Sequence, residues 1–132
     1  MISELTAFLL ATKPATIKTV AEAWDTEPLQ ELVDGVDIPA IYIYPGDDEV
    51  EDAGYDFRSG AAVTQVAHVD IVCLSADVET LRRAVRAVLL GWSEGANFTS
   101  LQLSGGQNLG HKKGDIVWWH DTWFNENQIR ET

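Results

Sequence analysis

The chain has 132 residues, 45% of them hydrophobic, and a formal net charge of −12. This length fits one domain with a single core, and the charge disfavours binding to nucleic acid or to anionic membranes. No apolar run approaches the roughly 20 residues of a membrane span, and a single cysteine, Cys73, excludes an internal disulfide and predicts a reducing compartment.

The charge is distributed unevenly along the chain. Residues 1–60 contain 13 acidic and 3 basic residues, a net charge of −10, whereas residues 61–132 contain 8 acidic and 6 basic residues, a net charge of −2. The first half is therefore expected to present a strongly negative surface. The N-terminus lacks the basic start and the cleavage site of a secretory signal, so we expect the chain to be cytosolic where it is made.

The first elements are short. Apolar residues at helical spacing predict a helix over Ile2–Thr12. Alternating residues predict a short strand over Ile17–Ala23. Thr26 is placed to cap a second short helix, which Gly35 would end just past its last turn.

A strand and an acidic segment follow. The β-branched and aromatic residues of Ile38–Tyr44 predict a strand, and Asp47–Ser59 is predicted to be a loop. This loop begins with five acidic residues within six positions: Asp47, Asp48, Glu49, Glu51 and Asp52. The run lacks the alternating ligands and central glycine of an EF-hand. We interpret it as a solvated loop that forms a negative rim or a docking surface for a basic partner.

The second half predicts the main elements. Ala62–Leu74 is predicted to be a long strand, Asp77–Leu90 an amphipathic helix, Thr99–Leu103 a strand, Ser104–Gly114 a mobile loop, and Ile116–Gln128 the closing strand. Neighbouring strands joined by loops favour an antiparallel or mixed sheet. The predicted fold class is therefore α+β, with a sheet of four to five strands and helices packed on one face, in a single domain spanning residues 1–132.

The closing strand carries three tryptophans within the nine residues Ile116–Phe124. Strand alternation places Trp119 and Trp123 on one face and Trp118 on the other. A small domain has little room to bury aromatic side chains on both sides of one strand. We therefore expect a second chain to cover one side, with these three tryptophans partly in the core and partly in an interface.

Two basic patches are candidates for contacts between subunits. The first is a strip on the main helix, formed by Arg82, Arg83 and Arg86. The second is the pair Lys112 and Lys113 in the glycine-rich segment. Either patch could be plain solvent-facing surface, or it could contact the acidic run of a neighbouring copy. Acidic and basic patches on different surfaces suit a head-to-tail contact, which closes into a ring or continues as a filament.

Possible chemistry is limited to one cluster. His68 and Asp70 share a strand face, and His120 precedes Asp121 on the closing strand, with the two pointing to opposite faces. If these strands pair, a His/Asp cluster could bind a metal ion, although the spacing matches no known ligand motif. The plainer reading is polar residues on a half-solvated strand. No arrangement resembles a nucleophilic triad, so we expect no catalytic residue, no cofactor and no metal.

The order of elements resembles that of the tail terminator proteins of long-tailed bacteriophages and of the related Mu-like minor tail proteins. Three stretches carry the resemblance: Ile38–Tyr44 (IPAIYIY), Val66–Leu90 (VAHVDIVCLSADVETLRRAVRAVLL) and Asp115–Asn127 (DIVWWHDTWFNEN). In that family an N-terminal helix and a short strand precede a long strand, a helix and a final strand. No sharp motif accompanies this pattern.

The resemblance implies a non-enzymatic structural protein of the virion tail, assembled in the bacterial cytoplasm. Such proteins form a ring, commonly a hexamer, on the tail tube, stop its polymerisation, and provide the docking surface for the head connector. DNA then passes through the central channel. Three alternatives stay open: a head–tail connector or neck protein, a small metal-dependent enzyme using His68, Asp70 and His120, and a monomeric binding module for a basic peptide.

Overall fold

The computed structural model describes residues 1–22, 38–47, 49–52, 61–93, 95, 98–113 and 115–129. The helices are α1 (Ile2–Thr12) and α2 (Val78–Leu89). The strands are β1 (Thr19–Glu22), β2 (Ala40–Pro45), β3 (Glu49–Asp52), β4 (Ala61–Leu74), β5 (Gln102–Lys113) and β6 (Ile116–Ile129). The short helix predicted after Thr26 lies outside the described residues. None of the helices described is long and apolar enough to span a membrane.

The strands form one mixed sheet in the order β1-β2-β4-β6-β5, with β3 paired to β4 beyond this path. β1 and β2 are parallel, and the other pairs are antiparallel. The longest ladder joins β4 to β6, from Ala61 opposite Ile129 to Leu74 opposite Ile116. The predicted α+β class with a mixed sheet is confirmed, and β3 adds a strand to those expected.

Two predicted loops are partly strand. The glycine-rich segment Ser104–Gly114 was expected to be a mobile loop, but most of it belongs to β5, whose backbone pairs along β6. Three register shifts interrupt this ladder and accommodate the irregular residues as bulges. Within the acidic run, Glu49–Asp52 forms β3 against the start of β4. In both places, pairing with a long neighbouring strand overrides weak local β-propensity.

Both helices pack on the same face of the sheet, here called the helix face. α2 contributes Leu81, Val85 and Leu89, which are spaced four residues apart and therefore form one stripe. α1 contributes Leu5 and Leu9, which are fully buried. The sheet residues of this core include Ile41, Ile43, Val69, Ile71, Cys73 and Trp123. Each buried leucine contributes roughly 1.5–3 kcal/mol to folding.

The opposite surface of the sheet, here called the open face, has a smaller core of its own. Ala40, Tyr42, Val72 and Trp118 are buried there, and the Tyr42 and Trp118 rings stack with centroids 6.3 Å apart. Trp118 is 2% exposed and Trp123, on the helix face, is fully buried. The single chain therefore covers these two tryptophans by itself, which corrects the expectation that a second chain is needed to cover them.

Candidate functional site

The segment Trp118–Asp121 contributes to two buried carboxylate clusters, one on each face of the sheet. Alternation along β6 directs Trp118 and His120 to the open face, and Trp119 and Asp121 to the helix face. On the open face the carboxylate is Asp70, which lies opposite His120 in the β4–β6 ladder. On the helix face the carboxylate is Asp121 itself.

The open-face cluster surrounds the Asp70 carboxylate, whose residue is only 1% exposed. The Nδ1 of His120 lies 2.5 Å from Oδ1 of Asp70. The indole Nε1 of Trp118 donates to Oδ2 at 2.7 Å, and the hydroxyl of Tyr44 donates to the same oxygen at 3.0 Å. A buried charge is tolerated only when it is paired and hydrogen-bonded, and these three partners meet that requirement.

A second histidine extends the cluster. The His68 and His120 rings lie 4.6 Å apart, centroid to centroid. The hydroxyl of Thr122 lies 3.3 Å from Nδ1 of His68 and 3.3 Å from Nε2 of His120, so it joins the two rings. Gly46 covers this arrangement, because a Cβ at that position would lie 2.8 Å from Nε2 of His68 and 2.6 Å from Val66. The chain can approach the histidine this closely only without a side chain.

The surroundings of His120 and His68 shift the pKa values of the two imidazoles in opposite directions. The hydrogen bond to Asp70 raises the pKa of His120, because it stabilises the protonated ring. Burial, together with the neighbouring His120, lowers the pKa of His68. Burial and the nearby Asp70 carboxylate raise the pKa of Tyr44, which therefore remains a hydrogen-bond donor. The two pKa values are therefore shifted apart, and His120 keeps its proton to higher pH than His68.

The helix-face cluster surrounds Asp121, which is fully buried. Arg86 of α2 donates two hydrogen bonds to it, from Nη2 at 2.8 Å and from Nε at 3.1 Å. The indole Nε1 of Trp119 donates a third at 2.7 Å. The guanidinium of Arg82 lies 3.6 Å from the centroid of the Trp119 ring, within cation–π distance. The hydrogen bond to Asp121 raises the pKa of Arg86, so the guanidinium stays charged.

β5 covers the helix-face cluster at Gly106, which lies opposite Asp121 in the β5–β6 ladder. A Cβ at Gly106 would lie 2.6 Å from Nη2 of Arg86, 2.6 Å from Oδ1 of Asp121 and 2.8 Å from the Trp119 ring. Real Cβ atoms do not approach other atoms so closely. The glycine that suggested a flexible loop is therefore required by close packing over an ion pair.

The open face also places a hydroxyl group beside the two imidazoles. Thr122, His120 and Asp70 form a hydroxyl–imidazole–carboxylate line beside a shallow depression of about 270 Å³, which is also lined by Ser104–Gln107. A nucleophile is activated by an adjacent general base, and here the Thr122 hydroxyl is shared between two imidazoles at 3.3 Å each. Among the described residues, no group of three or more histidine, cysteine or acidic side chains is arranged to hold a metal ion.

The helix-face cluster includes two of the three arginines that were expected to form a basic strip. Arg86 is bound to Asp121 and Arg82 lies over Trp119, so these two residues contribute to the chain's own fold. Arg83 is different. Its side chain is 78% exposed and pairs with the exposed Glu79 at 2.6 Å. A contact of this strip with another subunit remains a prediction.

The other expected contact residues lie towards the edges of the sheet. Asp47 is exposed, and Glu49, Glu51 and Asp52 lie on β3, whereas Asp48 lies outside the described residues. Lys112 and Lys113 end β5. Of the three tryptophans, only Trp119 is partly exposed. Their contacts with other chains remain predictions.

The sequence indicated the His68–Asp70–His120 grouping but missed its partners. Tyr44 and Trp118 were assigned only to a strand and to a possible interface, yet both donate to Asp70. The missing information was the register between β2, β4 and β6, which places Tyr44 opposite His68 and Trp118 opposite Val72.

Comparison with known proteins gives a similarity of fold. The sequence matches no described protein family and no curated protein. Its fold is similar to that of a chain from the virion of a native gene transfer agent particle, with a TM-score of 0.52 and 17% sequence identity. The alignment covers 92% of this chain and 84% of the other. At this identity the similarity establishes a shared fold.

Proposed function

We propose that this chain is a structural protein of a phage-like particle, and that it acts as a tail terminator. The observation that carries the proposal is the fold similarity to a gene transfer agent virion chain over nearly the whole length of both chains. The order of elements supports it, because α1, β2, β4, α2 and β6 follow the order found in tail terminators. In this role the protein is a component of the virion tail and has no catalytic task.

The proposed mechanism is geometric. Copies associate head to tail and close into a ring, as a hexamer, on the finished end of the tail tube. The ring blocks further addition of tube protein and presents its other surface to the head connector. DNA passes through the channel without binding, and the net charge of −12 suits this passage because an acidic lining does not hold phosphates.

A connector or neck protein of the same kind of particle is the second candidate. The shared fold supports it equally, because fold alone does not separate components of one particle. The two proposals differ in what the particle does without the protein. Loss of a terminator leaves tube growth unchecked, whereas loss of a connector leaves tails of normal length that fail to join heads.

The test is deletion of the encoding gene from its phage-like element, followed by electron microscopy of the particles. We expect tails of uncontrolled length without heads, and restoration of uniform, head-bearing tails by the wild-type gene on a plasmid. A matched control expresses Lys18→Ala, which removes one exposed basic side chain and should restore tails equally well. Headless tails of uniform length would favour the connector, and normal particles would rule out both roles.

A further inference from the structure

Two of the outer strands of the sheet, β5 and β3, are unlike and complementary in charge, whereas β1 is the outer strand beside β2. At one edge lies β5, which contains no acidic residue in 12 positions and ends in Lys112 and Lys113. On the other side of the sheet lies β3, where three of four residues are acidic: Glu49, Glu51 and Asp52. The exposed Asp47 precedes this strand.

Within the part of the chain that the structure describes, β5 pairs only with β6 and is an unprotected edge over most of its length. The stretch Gln102–Gly110 has no charge and no proline, and residues 104–109 are exposed, including Leu109 at 41%. Native edge strands are normally shortened, charged or broken by proline to prevent pairing with another chain. β3 follows that rule, being short and highly charged, whereas β5 relies on bulges and on the lysines at its end.

Strand directions favour a head-to-tail contact. β5 runs in the same direction as β4, because both are antiparallel to β6. β3 is antiparallel to β4 and therefore runs opposite to β5. If two copies keep the same orientation, β5 of one and β3 of the next would meet as antiparallel strands, which form the more stable ladder. In that pairing the Lys112–Lys113 end of β5 lies beside the Glu49 end of β3.

Other pairings of these edges are less favourable. Two β3 strands would bring acidic residues together, and like charges on paired strands are destabilising. Two β5 strands would leave the acidic edges of both copies without a partner and would stop at a dimer. Among the arginines of α2, Arg86 and Arg82 are engaged within the chain, and the exposed Arg83 pairs with Glu79 of the same helix.

We propose that β5 of one copy pairs antiparallel with the acidic β3 edge of the next copy, so that the sheet continues from subunit to subunit. The inference deepens the proposed function, because it names the surfaces through which the ring would close. The occupant of the β5 edge is thus a second copy of this chain.

A charge exchange tests the contact. Light scattering over a concentration series, in low salt, would measure self-association of four forms: wild type, Lys112→Glu with Lys113→Glu, Glu49→Lys with Glu51→Lys, and the combination of all four changes. We expect each double change to weaken association about tenfold, which corresponds to roughly 1.4 kcal/mol. The combination should return to within about threefold of wild type, because opposite charges then meet again with their signs exchanged.

Matched controls guard against general effects of charge and folding. Lys18→Glu with Thr16→Glu adds negative charge at two exposed positions away from β5 and should leave association unchanged. Circular dichroism should give the wild-type unfolding temperature within a few degrees for every variant. Leu109→Lys should weaken association by blocking the edge, whereas Leu10→Lys on α1, where the leucine is 52% exposed, should not.

The contact is wrong if the fourfold variant fails to recover, if the control pair weakens association as much as the lysine reversal, or if the wild type stays monomeric at every concentration. Each of these results leaves the terminator role open, because that role is judged by tail length after gene deletion. Conversely, the deletion strain could make normal tails while the fourfold variant recovers its self-association. This result would retain the contact and reject the terminator role.

Discussion

The buried carboxylates on the two faces of the sheet are paired with different basic side chains. Each face buries a carboxylate that accepts a hydrogen bond from a tryptophan indole at 2.7 Å. On the helix face the cation is Arg86, held to Asp121 by two hydrogen bonds. On the open face it is His120, held to Asp70. Arginine stays charged at all physiological pH values, whereas histidine does not.

This difference separates a fixed cluster from a titratable one. The Arg86–Asp121 pair joins α2 to β6 and therefore fixes the helix on the sheet at any pH near neutrality. The Asp70 cluster joins β2, β4 and β6 on the face that no described helix covers, and its charge depends on proton uptake by His120. A change of pH thus acts on the open face and leaves the helix face in place.

The largest expected effect comes from neutralising the two carboxylates in turn. Asp121→Asn leaves the Arg86 guanidinium without its counter-charge, and we expect the free energy of unfolding to fall by about 3 kcal/mol. Asp70→Asn should cost less, about 2 kcal/mol, because His120 can release its proton and become neutral. Chemical denaturation at pH 7 measures both. Equal losses would show that the nature of the cation does not matter.

The next effect comes from the glycine over the helix-face cluster. Gly106→Ala places a Cβ within 2.6 Å of Arg86 and Asp121, and overpacking of this kind typically costs about 1–3 kcal/mol. Gly105→Ala is the matched control, since its Cβ would meet nothing within 4 Å. The unfolding midpoint in urea distinguishes them. A Gly106 variant as stable as the Gly105 variant would mean that β5 does not press on the ion pair.

A smaller effect is expected from removing one donor on the open face. Tyr44→Phe deletes the hydroxyl that donates to Asp70 at 3.0 Å and should cost about 1 kcal/mol. Tyr42→Phe is the control, because Tyr42 stacks on Trp118 through its ring. Thermal unfolding of the two variants side by side measures the difference. Equal stability would show that Asp70 does not need its third donor.

The sequence predicted most elements because their signals are local. The helix over Ile2–Thr12 agrees residue for residue, and the stripe of α2 and the long strands β4 and β6 follow from simple periodicity. β5 was missed because its glycines and amides have weak strand propensity, and pairing with β6 decides their conformation.

The candidate site could be predicted only in part. His68, Asp70 and His120 were grouped correctly because alternation and the assumption of a β4–β6 pair suffice for that. The Arg86–Asp121 pair could not be foreseen, because it joins α2 to β6 across 35 residues and depends on how the helix docks. The tryptophans suggested an interface because the sequence does not reveal that Trp118 and Trp119 each donate to a carboxylate.

The difference between the fixed and the titratable cluster is tested most directly by the pH dependence of stability in wild type, His120→Gln and Asp121→Asn. His120 has a raised pKa in the folded state, so its contribution is complete below its unfolded pKa of about 6.5 and is lost as pH rises through the folded value. The lowered pKa of His68 has the opposite effect, because it reduces the stability of the fold as pH falls below about 6.5. The pH ranges in which the two histidines change the stability are therefore separate.

We expect the unfolding free energy of wild type to fall as pH rises above about 6.5. A fall in the same pH range should appear in Asp121→Asn, slightly reduced because the Asp121 charge contributes to the raised pKa of His120, and should be absent in His120→Gln. Loss of this pH dependence in Asp121→Asn, or its persistence in His120→Gln, would contradict the assignment of the titratable cluster to the open face.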